Sequence, residues 1–159
     1  MEINFTPVGT VYSPFKTLEE MPIQPVGAEG IKGTVSIKPR YLDGLADLDG
    51  FSHIYLIYHF HQAGAAKLQV TPFLDDQPRG IFATRAPRRP NAIGLSVVKL
   101  NDIIGNLLQI ENVDILNGTP LLDIKPYVPE FDRFEADRIG WLSKVIGLTK
   151  NKRSDSRFR

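Results

Sequence analysis

No cysteine occurs in the 159 residues, which excludes disulfides, thiolate zinc sites, iron–sulfur clusters and a cysteine nucleophile. No apolar run approaches the ~18 residues that a membrane span needs. The first residues, MEINFTPVGTVYS, have neither a basic start nor a continuous apolar stretch, so they do not read as a signal peptide. No charge of one sign dominates: 19 Lys and Arg oppose 18 Asp and Glu, for a net charge of +1. A polyanionic partner would therefore have to be met by a local patch. Also missing are G-x-G-x-x-G, because GAEGIKG (27–33) has the wrong spacing, G-x-x-x-x-G-K-[ST] and H-E-x-x-H. The usual nucleotide-binding and metalloprotease readings fail. With 42% hydrophobic and 23% charged residues, the composition suits one ordered domain with a single core, of the kind expected in the cytoplasm.

Twelve prolines punctuate the chain and exclude long helices over most of it. Between them lie short segments rich in β-branched and aromatic residues, which predict strands at 5–13, 31–38, 53–61, 67–71, 80–84, 95–104, 107–115 and 120–125. In 107–115, Leu108 and Ile110 precede Asn112 and Asp114 on one face, with Leu107, Gln109, Glu111, Val113 and Ile115 on the other. HIYLIYHFH (53–61) is apolar on both faces, as a strand covered on both sides would be. A helical turn is expected within 41–50, and a short C-terminal helix over 131–146. Many short strands with little helix imply a mainly β fold. We expect a small closed β-barrel, because few strands carry the protection that open sheet edges require. The barrel domain should span 1–148, followed by a flexible basic tail over 149–159.

The stretch RGIFATRAPRRPNAIGLS (79–96) contains Arg79, Arg85, Arg88 and Arg89 and no acid. Pro87 and Pro90 hold its backbone extended. With no local carboxylate counted as available, these guanidinium groups should seek anions, either phosphates or a carboxylate gripped by the planar fork. Pairing with distant acids such as Glu130, Asp132, Glu135 and Asp137 is the alternative.

In ILNGTPLLDIKPYVP (115–129), Asn117-Gly118 signals a tight turn whose amides would be left for a ligand. Asp123, Lys125 and Tyr127 should share a strand face opposite Leu122 and Ile124, either to act on a substrate or simply to face solvent. His53, His59 and His61, the chain's three histidines, have one parity. His59 and His61 have the spacing of a metal pair, but His53 lies about 20 Å from His59 along an extended strand. No metal site is expected, although a metal-dependent small-molecule enzyme using His59 and His61 is one possible reading.

FATRAPRRPNAIGLS, preceded by FSHIYLIYHFH and followed by NGTPLLDIKPYVPEFD, resembles the TsaA-like family of β-barrel proteins, which includes TrmO-type tRNA (adenine-N6)-methyltransferases. The resemblance runs from about Val8 to Trp141. It implies an S-adenosyl-L-methionine-dependent enzyme built on a barrel, methylating N6 of threonylcarbamoyl-adenosine next to the anticodon of a tRNA. It also implies a homodimer with the cofactor near the subunit interface. Carried over by position, the cofactor contacts fall on Gln24 and Pro25, on His61 and Gln62, on Arg85 and Leu95, and on Leu116, Asn117, Gly118 and Thr119. Family members often have Asp in place of Asn117, Ser in place of Ala86 and Pro in place of Ala92. Longer members carry a further C-terminal domain. Since the target nitrogen is a poor nucleophile while protonated, a proton acceptor would help, and Asp123 and Tyr127 are the candidates. Arg88 and Arg89 are the candidates for tRNA phosphate contact, with the basic tail as auxiliary. The alternative function is a barrel that senses S-adenosylmethionine or a related nucleotide without chemistry.

Overall fold

The structure, a computed structural model, describes residues 1–19, 21–22 and 25–145, with 25 and 26 described by backbone alone. Gln24 and the tail expected over 149–159 lie outside the described residues. Eight strands form within them: β1 (Gly9–Tyr12), β2 (Lys32–Ile37), β3 (His53–His59), β4 (Gln69–Val70), β5 (Arg79–Gly80), β6 (Ile93–Ile104), β7 (Leu107–Glu111) and β8 (Thr119–Pro126). Six close into an antiparallel barrel in the order β1-β2-β7-β6-β3-β8, with β8 pairing back onto β1 through Gly9↔Leu121. The closed sheet follows the expectation. β4 and β5 form a separate ribbon, on the long excursion between β3 and β6 that carries all four arginines of 79–96.

Alternation explains the interior. Ile54, Leu56 and Tyr58 of β3 point inward and are buried, as are Ser96, Val98 and Leu100 of β6. Tyr55 and Ile57, on the outer face of β3, are only half-buried, so that strand is covered on one side rather than two. Core packing of this kind stabilises by roughly 1.5–3 kcal/mol per large side chain.

Three expectations need correction. The segment 80–84 does not continue as a strand: after Gly80 the chain turns through Ile81–Ala83, and Ile81 seeds a small satellite core with Val70. The alternation over 107–115 stops at Asn112, which adopts a left-handed φ of 68° and accepts a hydrogen bond from the Gly30 amide at 2.9 Å. One residue out of register reverses the faces, so Val113 and Ile115 join Leu108 and Ile110 inside the barrel. The helix expected over 131–146 is replaced by a single turn, α1 (Pro129–Asp132), and a second turn at Gly140–Lys144. Residues 133–139 are exposed and bury no apolar stripe that would hold a helix together. Among the described residues no helix is long and apolar enough to cross a membrane.

Candidate functional site

β3 ends, β6 begins and the β7–β8 connection re-enters the barrel at one end of the molecule, where they surround a cavity of about 810 Å³. This volume is in the usual range for small-molecule sites. The excursion between β3 and β6 folds over it and contributes Arg85, while Phe60, Phe73 and Phe82 give flat apolar walls. His61, Gln62, Leu95, Leu116 and Thr119 also line it. Six predicted side chains, from three of the four predicted regions, therefore meet around one hollow.

At its base lies a buried polar chain. The Ser96 hydroxyl donates to Asp114 Oδ1 at 2.6 Å and so accepts from the Tyr58 hydroxyl at 3.0 Å. Burial pushes the Asp114 carboxyl up to about 7, against the opposing pull of Ser96, its own backbone amide and Arg85. The same burial, reinforced by Asp114, raises the Tyr58 phenol. Arg85 is the positive charge felt by both groups. Gly94 makes the arrangement possible, because the Tyr58 ring occupies the space where a Cβ on residue 94 would project.

The Asn117-Gly118 turn sits behind this wall instead of in it. Its amides are taken: Asn117 donates to the Phe15 carbonyl at 2.8 Å and Gly118 to the Val11 carbonyl at 2.9 Å. Asn117 Oδ1 accepts from the Ser13 amide at 3.1 Å, a role that an Asp would fill equally well. The expected ligand-binding amides thus stitch the turn to β1, and Leu116 and Thr119 on either side face the cavity. Pro25 opens a separate turn, Pro25–Ala28.

Asp123 and Tyr127 lie towards the opposite end of the barrel. Asp123 faces a separate depression of about 530 Å³ and pairs with Lys125 at 3.1 Å. Tyr127 packs edge-on against Tyr55, with ring centroids 5.7 Å apart, and against His53 at 6.3 Å. Neither lines the large cavity, because β8 carries them away at ~3.3 Å per residue.

The arginines divide by role. Arg79 donates to Asp75 at 2.6 Å, a carboxylate four residues upstream that lay just outside the stretch read as acid-free. Arg89 Nη1 is drawn to the carbonyls of Thr84 at 2.8 Å, Ile81 at 3.1 Å and Ala86 at 3.4 Å. It shapes the loop that presents Arg85. Arg88 Nε donates to the Ala65 carbonyl at 2.8 Å. His59 is exposed on the outer face, whereas His61 reaches the cavity. Burial and neighbouring His59 hold the His61 pKa below its usual value. Among the described residues no cluster of three His, Cys, Asp or Glu can hold a metal.

Sequence reasoning missed Asp114 as a site residue, and Ser96 and Trp141 with it. Asp114 sits among Val113, Ile115 and Leu116, and an acid in so apolar a run is the signal that should have drawn attention to it.

Comparison with known proteins identifies relatives of the chain. A protein of Pyrococcus abyssi, named as a probable S-adenosyl-L-methionine-binding protein, is 53% identical over 98% of this chain and 85% of its own. The human tRNA (adenine(37)-N6)-methyltransferase is 37% identical over 79% of this chain, which spans only 30% of that protein. A crystal structure of TrmO from Pseudomonas aeruginosa superposes with a TM-score of 0.74 at 37% identity, covering 89% of this chain and 62% of that one. Residues 10–133, the whole barrel but for the first residue of β1, match one family model, and the chain belongs to that family, the tRNA-methyltransferase O N-terminal domain.

Proposed function

We propose that this chain binds S-adenosylmethionine in the large cavity and methylates N6 of threonylcarbamoyl-adenosine in a tRNA. The supporting observation is that Arg85 and Asp114 share one aromatic-walled hollow of about 810 Å³. An amino-acid tail is held at its carboxylate by a cation, and an adenosyl group is held by flat apolar walls. The residues present fit both halves. When bound, the cofactor supplies an electrophilic methyl on a sulfonium. Arg85 holds a carboxylate by charge-assisted hydrogen bonds, Leu95 and Leu116 exclude water, and Asp114 accepts a proton from a donor placed in the cavity. Asp114 takes the role first assigned to Asp123 and Tyr127 because it alone of the three faces the hollow. Arg88 remains the phosphate contact, while Arg89 serves through the shape of its loop.

A second copy of the chain fits the outer face of β3 and β6. There Tyr55 pairs with Val97, Ile57 with Leu95 and His59 with Ile93, and Leu95 is 55% exposed. Since Leu95 also lines the cavity, this face would place the site near the dimer interface.

Incubation of labelled S-adenosylmethionine with threonylcarbamoylated tRNA tests the proposal, and methyl incorporation is the expected result. In a calorimetric titration Arg85→Ala should weaken binding of S-adenosylhomocysteine by roughly 10-fold or more. Its melting temperature should fall only slightly, because Arg85 is exposed and its charge acts on buried Asp114 only as a minor opposing pull. Unaltered affinity would remove Arg85 from the site. Tight binding without transfer would support a binding protein instead. That second reading is favoured by the high coverage of a relative named only for binding.

A further inference from the structure

We propose that residues 133–145 form a strap that completes the cavity, and that Trp141 on it stacks against the planar base of an adenosyl ligand. This rests on the cofactor reading above and adds a specific residue to it. Trp141 and Leu142 line the cavity, although they belong to the turn Gly140–Lys144, beyond the residues 10–133 that match the family model. This wall is therefore added by residues beyond those that the family model matches.

The strap is anchored by the tryptophan itself. Its indole N–H donates to the Ala83 carbonyl at 2.8 Å, on the same loop that presents Arg85. The Arg79 guanidinium lies 5.9 Å from the ring centroid and is itself tied to Asp75 at 2.6 Å. A half-buried indole with its polar group satisfied and its position restrained has little freedom left to lose when a ligand arrives. Phe82, next to Ala83 and also lining the hollow, is 79% exposed, a large apolar face that a stacked base would cover. Stacking on such rings tolerates any base but requires a flat one.

Trp141 is the chain's single tryptophan, so its emission reports this wall alone. The full chain is titrated with S-adenosylhomocysteine, followed in parallel by calorimetry and by tryptophan emission. The expected result is saturable quenching with the calorimetric midpoint. Trp141→Ala should then weaken affinity roughly 5- to 100-fold, with Trp141→Phe in between because it keeps a ring and loses only the N–H bond. Should the Ala variant fold poorly, the Phe variant and the wild-type emission decide the matter. Calorimetric binding with unchanged emission, or with wild-type affinity in both variants, overturns the strap and leaves the cofactor reading standing. Absence of both binding heat and an emission change in the wild type, at two temperatures, overturns both.

Discussion

Asp114→Asn is expected to lower methyl transfer by roughly 100-fold or more while making the protein more stable at alkaline pH. Both effects come from burying a carboxyl where its charge is poorly solvated. Its pKa rises from 3.8 to about 7 on folding, so the folded state binds this proton more tightly than the unfolded chain. Stability from this group is therefore greatest below about pH 4, falls as pH rises to about 7 and stays low above that. The full loss is on the order of 4 kcal/mol. Asn has the same shape, can still accept from Ser96 and carries no charge to desolvate. Its unfolding free energy should lose this slope between about pH 4 and 7, and at about pH 8 it should melt above the wild type. Transfer by the wild type should rise through about pH 7 as the carboxyl ionises, a step that the variant cannot make. A variant with wild-type transfer and an unchanged stability profile would show that Asp114 is neither strained nor used.

Gly94→Ala is expected to damage fold and site together. The added methyl meets the Tyr58 ring, which is buried at 5% exposure and tied to Ser96 through its hydroxyl. Overpacking of this kind costs about 1–3 kcal/mol. Moving the ring also pulls the phenol from Ser96, which adds about 1–3 kcal/mol for a buried group left unpaired. Chemical denaturation should register the sum, and affinity for S-adenosylhomocysteine should drop by roughly 10-fold or more as the cavity base shifts. Gly44→Ala provides the comparison, since nothing lies within 4 Å of a Cβ built there. It should be close to neutral. Equal stability of the two variants would mean that Tyr58 can yield without cost.

The strands were legible in the sequence because their signals are local. The β-branched and aromatic run in 53–61 and the Asn117-Gly118 punctuation need no knowledge of the rest of the chain. The six predicted cavity residues came from a resemblance spread over several motifs, not from periodicity. What escaped detection depends on contacts between distant segments. The inward flip after Asn112 follows from one left-handed residue held by Gly30, and strand parity has no means of anticipating it. Asp114 looked like the polar half of an alternating strand; the flip turns it off the Leu108 and Ile110 face, and it is buried in the cavity wall instead. The turn amides appeared available because their partners, Val11 and Phe15, lie about a hundred residues earlier in the chain. Arg79 was misjudged for a simpler reason: Asp75 stood four positions before the window considered. Arg89 shows that a basic cluster can serve its own backbone, since one guanidinium nitrogen is drawn to three carbonyls.

Closure through β1 and β8 has a kinetic consequence. Ser13 reaches across 104 positions to Asn117 and 102 to Ile115, so the last seam joins segments made at nearly opposite times during synthesis. Contacts of such high sequence separation form slowly, since chain entropy is lost before they reward it. Until the seam zips, Leu116 and Thr119 have no fixed place, and a nascent polypeptide has no pocket to fill. Ligand should therefore capture the finished barrel and slow its reopening, without speeding its assembly.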